Sequence, residues 1–412
     1  MTDPAGVTVE DVRAAQTLLA EVIRPTPLKF NRALADRLGT DVYLKCENLQ
    51  RAGSFKIRGA YTRMSRLTPE ERERGVVAAS AGNHAQGVAL AAQLLGIRSK
   101  VYMPVRAPMP KLAATKAYGA QIEQVGQTLD ESLVAARAWA EETGAILIHP
   151  FDHVDVVAGQ GTCGLEILDQ CPDVRTVVVG LGGGGILAGI AVVMRALKPD
   201  VRIIGVQAEQ AAAYPTSLAA GHPVAAEKMS TMADGIAVGL PGDVTFPLVR
   251  DLVDEVVTVS EASLSRAALF LLERAKLVVE PAGAAATAYL LDRVGGEPME
   301  GPVVSVLSGG NIDPLLMLRI IRHGMTVAGR YLQFSVVVPD SPGNLAALLT
   351  DCAETDANVL DVEHVRTSHE ITVDQVEIAL VLETKGPEHQ EKVLQALRAK
   401  GYDVRGPASQ PV

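Results

Sequence analysis

The chain is poor in aromatic residues and in basic charge. Phe, Trp and Tyr account for 4% of its 412 residues, with a single Trp, so a platform on which nucleic-acid bases stack is not expected. Its 48 acidic residues outnumber its 38 basic residues and give a formal net charge of −10. A surface for nucleic acid or for an anionic membrane needs clustered Lys and Arg, so we expect neither partner.

Long apolar runs and patterned cysteines are also missing. The stretch 264–291 comes nearest to a membrane span, but charged residues interrupt it. Residues 1–4 lack the basic and then apolar pattern of a secretory signal. The cysteines share neither a metal-ligand spacing nor a CxxC motif, which predicts small buried residues and no metal site: they are Cys46, Cys163, Cys171 and Cys352. We expect a cytoplasmic, reducing location.

What is present is an alternation of short Val/Ile-rich runs with helical patterns from about residue 40 to residue 320. Near-continuous apolar strands separated by helices predict an α/β fold with parallel sheets covered on both faces. Ligands in such sheets bind beyond the carboxyl ends of the strands. The predicted strands are 42–45, 76–80, 100–103, 146–149, 176–179, 201–206, 256–259 and 303–307.

A second pattern follows residue 325. Strand, helix, strand, strand, helix and strand are predicted in succession over 331–406, which is the βαββαβ order of a ferredoxin-like unit. We therefore expect a first domain at 1–324, a linker at 325–330 and a second domain at 331–406.

A tetraglycine turn follows the predicted strand 176–179 and opens a helix. It comprises Gly182, Gly183, Gly184 and Gly185. Backbone N–H groups without Cβ atoms, at a helix N-terminus, form a natural phosphate site. Two alternatives stay open at this point. One is a plain tight turn. The other is a dinucleotide site, since Gly180, Gly182 and Gly185 fit GxGxxG and Glu209 follows the next strand.

The segment Gly53-Ser54-Phe55-Lys56-Ile57-Arg58-Gly59-Ala60 combines a lysine with a helix start. Ser54 is a good N-cap residue, so Lys56 is predicted in the first helical turn. The helix dipole disfavours a cation there, which makes the amine easier to deprotonate. A neutral amine is what a Schiff-base nucleophile requires. The alternative is an ordinary solvated surface lysine.

Two further polar, glycine-bordered turns follow predicted strands. Ser80-Ala81-Gly82-Asn83-His84 follows 76–79, and Ser308-Gly309-Gly310-Asn311 follows 303–307. Each alone is also explained as a capping turn, and His84 as a structural histidine. Their recurrence at the carboxyl ends of separate strands predicts that one ligand contacts them all.

The joint occurrence of SFKIRGA, SAGNHAQG, GGGG and SGGN, in this order, is highly specific. With these motifs the sequence resembles threonine ammonia-lyases of the β-family, or fold type II, of pyridoxal-phosphate enzymes. The resemblance covers essentially the whole chain. It implies a tryptophan synthase β-like fold with two subdomains, the smaller at about 45–150, and the cofactor pyridoxal 5'-phosphate.

The resemblance also implies roles for individual residues. Lys56 would bind the cofactor covalently, and the N–H groups of Gly182, Gly183, Gly184, Gly185 and Ile186 would hold its phosphate. Asn83 would bond the 3-hydroxyl, Ser308 the pyridine nitrogen, and Phe55 would lie against the ring, with Glu280 near it. The substrate carboxylate would be clamped by Ser80, Ala81, Gly82, Asn83 and His84.

The implied reaction is the deamination of L-threonine to 2-oxobutanoate and ammonia, with L-serine as a second substrate. Serine racemases carry a Ser where this chain has Ala81, which has no proton to exchange, so we expect poor racemisation. A metal site of some relatives matches Glu209 and Ala213 but meets Pro215 at its Asp position, so we expect no metal. The alternatives are a serine dehydratase or serine racemase-like enzyme, a NAD-binding oxidoreductase, and a non-catalytic amino-acid sensor.

The C-terminal unit resembles ACT domains, which bind amino acids between copies. Its turn after the first strand contains Asp340, Gly343 and Asn344, where the resemblance implies a regulatory isoleucine or valine, as in isoleucine biosynthesis. The alternative is an appendage without a ligand. A homodimer or homotetramer is expected from the resemblance alone.

Overall fold

A computed structural model describes residues 6–366 and 372–406 of the chain. The chain divides into two compact units, Met1–Pro314 and Leu315–Val412. The second unit begins about ten residues before the expected boundary at Gly324, because the helix Pro314–Val327 belongs with it from its second residue onward.

The first unit contains ten strands in its described part. They are β1 Leu28–Phe30, β2 Val42–Lys45, β3 Val76–Ala79, β4 Ser99–Met103, β5 Gln121–Gln124, β6 Ile146–Leu147, β7 Thr176–Gly180, β8 Arg202–Ala208, β9 Glu255–Val259 and β10 Val303–Val306. Six form a sheet in the order β1-β2-β10-β7-β8-β9, and four form a smaller sheet in the order β5-β4-β3-β6. All neighbours are parallel except β1 and β2.

Thirteen α-helices accompany these strands in the described part of the unit. They are α1 Val9–Leu19, α2 Arg32–Leu38, α3 Lys56–Ser65, α4 Pro69–Arg74, α5 Asn83–Leu95, α6 Met109–Ala117, α7 Leu129–Thr143, α8 Val154–Gln170, α9 Gly185–Leu197, α10 Tyr214–Ala220, α11 Thr245–Leu252, α12 Glu261–Phe270 and α13 Pro281–Asp292. One apolar core lies between the six-stranded sheet and α8 and α9, and another joins α3 and α5 to β3.

The predicted α/β class with parallel sheets is confirmed. Each predicted strand is present, and both of its ends lie within three residues of the predicted ends. Two strands, β1 and β5, were not predicted. β5 reads Gln-Ile-Glu-Gln and lies at a sheet edge with only its Ile partly covered among otherwise exposed residues, so it lacks an apolar signal.

The second unit begins with α14 Pro314–Val327 and continues as β11 Tyr331–Pro339, α15 Asn344–Ala353, β12 Asn358–Val365, β13 Gln375–Glu383, α16 Pro387–Ala399 and β14 Asp403–Arg405. The antiparallel sheet has the order β12-β13-β11-β14. Alternate residues of β13 are buried, because one face of the sheet covers the apolar core. The predicted βαββαβ order is confirmed.

In the described part of the chain, no helix combines the length and the hydropathy needed to cross a membrane.

Candidate active site

Three loops of the first unit meet beyond the carboxyl ends of β3, β7 and β10. They carry, respectively, Ser80 to Asn83, the tetraglycine turn and Ser308 to Asn311. Helix α3 begins at Lys56 beside them: a Cβ on Gly87 of α5 would lie 3.1 Å from the Cβ of Lys56. The position agrees with the rule that ligands of parallel sheets bind at this end of the strands.

Lys56 is the first residue of α3 and is partly buried. Its Nζ donates a hydrogen bond of 3.0 Å to the carbonyl oxygen of Pro150 and lies 5.0 Å from the centre of the Phe55 ring. Burial of the amine lowers the pKa of Lys56 to about 8, although the nearby charge of Glu280 acts in the opposite direction. The neutral form of the amine is therefore more accessible near neutral pH than in an ordinary lysine.

The start of α3 differs from the expectation in one detail. Ser54 does not cap the helix; the preceding position is Phe55, and no side-chain cap bond is formed there. Ser54 instead pairs with Gly309 in an isolated antiparallel bridge, and the N–H of Phe55 donates to the carbonyl oxygen of Ser308 over 3.2 Å. Tertiary pairing has overridden the local capping preference, and it places Ser308 next to the lysine segment.

Asn83 joins the loop after β3 to the residue before α13 and to the loop after β10. Its Nδ2 donates to Oε1 of Glu280 over 2.6 Å, and its Oδ1 accepts from Nδ2 of Asn311 over 2.8 Å. Glu280 is 4% exposed. Burial, reinforced by the charge of Asp234, raises the pKa of Glu280 to about 7. A carboxyl group that is partly protonated near neutral pH therefore lies in the site.

Two hydroxyl groups stabilise the tetraglycine turn by donating hydrogen bonds to one of its carbonyl oxygens. The carbonyl oxygen of Gly183 accepts bonds from Oγ1 of Thr245 (2.6 Å) and the hydroxyl of Tyr214 (3.2 Å). Because C=O and N–H of a trans peptide point in opposite directions, the N–H of Gly184 points away from these side chains. Gly184 has φ +96°, which favours glycine, and the 13-residue helix α9 starts directly after it.

A loop that the sequence did not predict connects Lys56 to this turn. Pro150 binds the lysine amine, and the ring of Phe151 fills the space where a Cβ on Gly183 would lie. The carboxylate of Asp152 accepts three backbone N–H bonds of 2.8–3.2 Å, from residues 243–245. The run His149-Pro150-Phe151-Asp152 follows β6. Its position after a strand was the feature of the sequence that could have marked it as part of the site.

The loop after β3 is shaped by Ser80 and His84. Oγ of Ser80 accepts a bond of 3.1 Å from the N–H of Gly82. Nε2 of His84 donates to the carbonyl oxygen of Ile148 over 2.8 Å, since a carbonyl oxygen only accepts. Burial, with the charge of Lys56, lowers the pKa of His84 to about 3, so the ring is neutral. Its side chain anchors the loop to the backbone near β6.

Other candidates from the sequence belong to other segments of the chain. Glu209 follows β8 and is exposed. The four cysteines are buried free thiols, and no group of His, Cys, Asp and Glu in the described residues has a metal-binding arrangement. Asp340, Gly343 and Asn344 belong to the second unit, at the turn between β11 and α15.

The residues of the site fit pyridoxal phosphate. The amine of Lys56 is the group that condenses with an aldehyde, and its lowered pKa makes the neutral form that reacts more accessible than in a free lysine. The tetraglycine turn leaves no room for a Cβ at Gly183 or Gly184, and it places the N-terminus of α9 where a phosphate binds well.

Comparisons with known proteins agree with this chemistry. Residues 19–309 match the family described as pyridoxal-phosphate dependent enzyme. An L-threonine ammonia-lyase of Thermotoga maritima is 47% identical over 97% of this chain and 99% of its own. Maize serine racemase is 34% identical, with a TM-score of 0.73 over 78% of this chain and 98% of its own. The processed threonine deaminase isoform 2 of Solanum lycopersicum is 38% identical, with a TM-score of 0.71 over 76% and 91%.

The family match decides between the two cofactors that the tetraglycine turn left open. A nicotinamide dinucleotide is not the cofactor of this family. The chain belongs to the family of pyridoxal-phosphate dependent enzymes, and pyridoxal phosphate is its cofactor.

Proposed function

We propose that the protein is a threonine ammonia-lyase, which converts L-threonine to 2-oxobutanoate and ammonia and also acts on L-serine. The observation that carries the proposal is the partly buried amine of Lys56, with a pKa of about 8, next to the cluster of Asn83, Glu280 and Ser308. The full-length similarity to an L-threonine ammonia-lyase supports the choice of substrate.

Each residue is assigned a binding task in this proposal. Lys56 holds the aldehyde carbon of the cofactor, and the N–H groups of 182–186 hold its phosphate. Asn83 and Ser308 hold the 3-hydroxyl and the ring nitrogen, and Phe55 lies against the ring. Bound there, pyridoxal phosphate supplies an electron sink that acidifies the Cα proton of the substrate.

Lys56 then acts as the base. With the cofactor bound, the amine of Lys56 would take the proton from Cα of the substrate. A base with a pKa near the working pH transfers protons efficiently, and burial gives Lys56 such a pKa. The proton taken from Cα balances the proton with which the β-hydroxyl leaves as water, and hydrolysis of the released unsaturated amine would give the keto acid and ammonia.

Two residues favour elimination over other outcomes. Ser308 presents a neutral hydroxyl, which stabilises a proton on the ring nitrogen less than a carboxylate would. Less carbanion charge is then stored, and prompt loss of the β-hydroxyl is favoured. Ala81 has no proton to deliver from the opposite face of the substrate, so racemisation should be poor.

The proposal is tested by the purified enzyme with L-threonine and with L-serine, the keto acid being measured. We expect turnover of both, with threonine preferred. Borohydride should fix the cofactor to Lys56, and Lys56→Ala should lower ammonia release by at least about 10³-fold. Lys116→Ala, an exposed lysine of α6, is the matched control. A strong preference for serine, or full activity of Lys56→Ala, would contradict the proposal.

We further propose that the second unit is an ACT-type regulatory domain that binds isoleucine or valine. Its βαββαβ order supports this, as does the turn after β11. There Gly343 has φ +97°, and Nδ2 of Asn344 donates to the carbonyl oxygen of Pro339 (3.0 Å) and Oγ of Ser341 (2.7 Å). Asp340 pairs with Arg366 nearby.

This regulatory role is tested by the response of threonine turnover to added isoleucine and valine. We expect a response in the full chain that Asn344→Ala reduces and that Asn358→Ala, a change at an exposed residue of β12, preserves. A full response in Asn344→Ala contradicts the assigned site.

Assembly and location belong to the same proposal. We infer a homodimer or homotetramer, measurable by light scattering, that works in isoleucine biosynthesis in the cytoplasm. The four buried free thiols are compatible with a reducing compartment.

A further inference from the structure

An ion pair between Lys111 and Asp234 lies near the loop after β3. Nζ of Lys111, on α6, pairs with Oδ2 of Asp234. The lysine side chain is 11% exposed, whereas that of Asp234 is 60% exposed. The two partners therefore differ in solvent exposure: the ammonium of Lys111 is largely buried, whereas the carboxylate of Asp234 is exposed to water.

Lys111 lies next to Gly82, at the centre of the loop that the proposed function assigns to the substrate carboxylate. A Cβ built on Gly82 would have one neighbour within 4 Å among the described residues outside its own loop, and that neighbour is Nζ of Lys111 at 4.0 Å. The space beside Gly82 is open on this side, and an ammonium group lines it. Such a space suits a small anion.

Asp234 belongs to a segment that lies near the tetraglycine turn and Glu280. It starts a short 3-10 turn, Asp234–Ile236. A Cβ on Gly182 of the tetraglycine turn would lie 3.0 Å from Cα of Ile236, and a Cβ on Gly235 would lie 3.5 Å from Oε1 of Glu280. The counter-ion of Lys111 thus lies on the segment that borders the tetraglycine turn and Glu280.

The difference in solvent exposure indicates that Asp234, rather than Lys111, can leave the ion pair at little cost. An exposed carboxylate loses little when its ion pair opens, because water solvates it. An enclosed ammonium needs another anion in exchange. A substrate carboxylate at Gly82 provides that anion with additional backbone N–H donors from the same loop.

We propose that Lys111 is a substrate-positioning residue whose ammonium exchanges Asp234 for the carboxylate of the amino-acid substrate. The proposal rests on the proposed function, since it assumes that the loop Ser80 to His84 receives that carboxylate. It makes Asp234 a competitor of the substrate rather than a partner of it. Removing the two charges should therefore change substrate affinity in opposite directions.

The test compares Lys111→Met, Lys111→Arg and Asp234→Asn in the full-length holoenzyme. For Lys111→Met we expect KM for L-threonine to rise about tenfold to a hundredfold, with kcat changed far less. Lys111→Arg should restore part of the loss, because the charge is kept. Asp234→Asn should leave KM unchanged or lower it. Lys116→Met, on the same helix but exposed, should leave KM unchanged.

A binding measurement separates recognition from turnover. L-2-aminobutanoate carries the carboxylate but no β-hydroxyl, so its affinity can be titrated through the cofactor absorbance without reaction. We expect Lys111→Met to weaken it and Asp234→Asn to preserve or strengthen it. The same rise in KM for Lys111→Met and Asp234→Asn would indicate a structural tether and overturn the proposal. An unchanged KM in Lys111→Met would also overturn it. If the wild type turns over threonine in either case, the proposed function still stands.

Discussion

Nδ2 of Asn83 donates a hydrogen bond of 2.6 Å to Oε1 of Glu280, between residues 197 positions apart in the chain. Asn83 is the first residue of α5, beside the smaller sheet, and Glu280 directly precedes α13, beside the larger one. This hydrogen bond, together with the one from Asn311 to Asn83, links the two sheet regions at the site. It also places a buried carboxyl group where its protonation state affects both stability and chemistry.

The raised pKa of Glu280 predicts a pH-dependent stability. The pKa rises from 4.5 to about 7 on folding, so the folded state binds the proton more tightly. The stability from this group is complete below 4.5 and is lost as the pH rises through about 7. Relative to Glu280→Gln, the wild-type free energy of unfolding should fall by about 2–3 kcal/mol over this range.

Denaturant unfolding of the cofactor-free wild type and Glu280→Gln at several pH values measures this difference. Glutamine keeps the acceptor for Asn83, so the comparison isolates the charge. Glu297→Gln, at an exposed position, should follow the wild type at every pH. Parallel curves for wild type and Glu280→Gln would show that Glu280 has an ordinary pKa.

The lowered pKa of Lys56 predicts the pH dependence of cofactor uptake. Only the neutral amine attacks an aldehyde, and burial brings the pKa of Lys56 to about 8. The rate at which cofactor-free protein takes up pyridoxal phosphate should therefore rise with pH and level off above about 8. Stopped-flow absorbance follows this reaction. A rate that keeps rising toward 10.5, the ordinary value for lysine, would mean that burial does not activate the amine.

The contact between Gly183 and Phe151 predicts a specific pair of variants. A Cβ on Gly183 would overlap the ring of Phe151, so Gly183→Ala should cost about 1–3 kcal/mol of stability and weaken cofactor binding. Adding Phe151→Leu should recover part of both losses. Gly239→Ala is the control, since its nearest neighbour is the flexible side chain of Met229 at 3.4 Å. Thermal unfolding and cofactor titration give the two readouts, and equal losses in Gly183→Ala with and without Phe151→Leu would exclude this steric cause.

Buried charges hold α3 in place two residues after Lys56. Arg58 is fully buried and donates from Nε and Nη2 to Glu47 (both 2.8 Å) and from Nη1 to Glu166 (2.7 Å). Lys45 binds the other oxygen of Glu166 at 2.5 Å. The two carboxylates and the two cations neutralise each other. Burial of these charges is therefore tolerated only while every partner is present.

Arg58→Met should therefore destabilise the protein by about 3–5 kcal/mol, because it leaves carboxylates buried without a partner. Arg106→Met, at an exposed position, should change stability by less than about 0.5 kcal/mol. Denaturant unfolding measures both. A loss of similar size in the two variants would refute the importance of the network.

Local features of the site were predictable from the sequence. The tetraglycine turn, Lys56 in the first turn of α3 and the polar turns after β3 and β10 depend on backbone preferences and on apolar periodicity over a few neighbouring residues. The same reasoning predicted most strands of the sheets. It failed for β5, where an edge position leaves no apolar pattern, and for Ser54, where pairing with Gly309 replaces the helix cap.

Only the tertiary structure decided which groups surround Lys56. Sequence spacing carries no signal for the contacts of Asn83 with Glu280 or of Lys111 with Asp234, which are separated by 197 and 123 residues. The same is true of Phe151 behind Gly183. The sequence by itself determined the position of Lys56 at the start of a helix and the glycine turn, because both arise from local backbone geometry. The packing of helices and sheet ends determined the electrostatic surroundings of that amine, because charge interactions depend on distance in space and on burial.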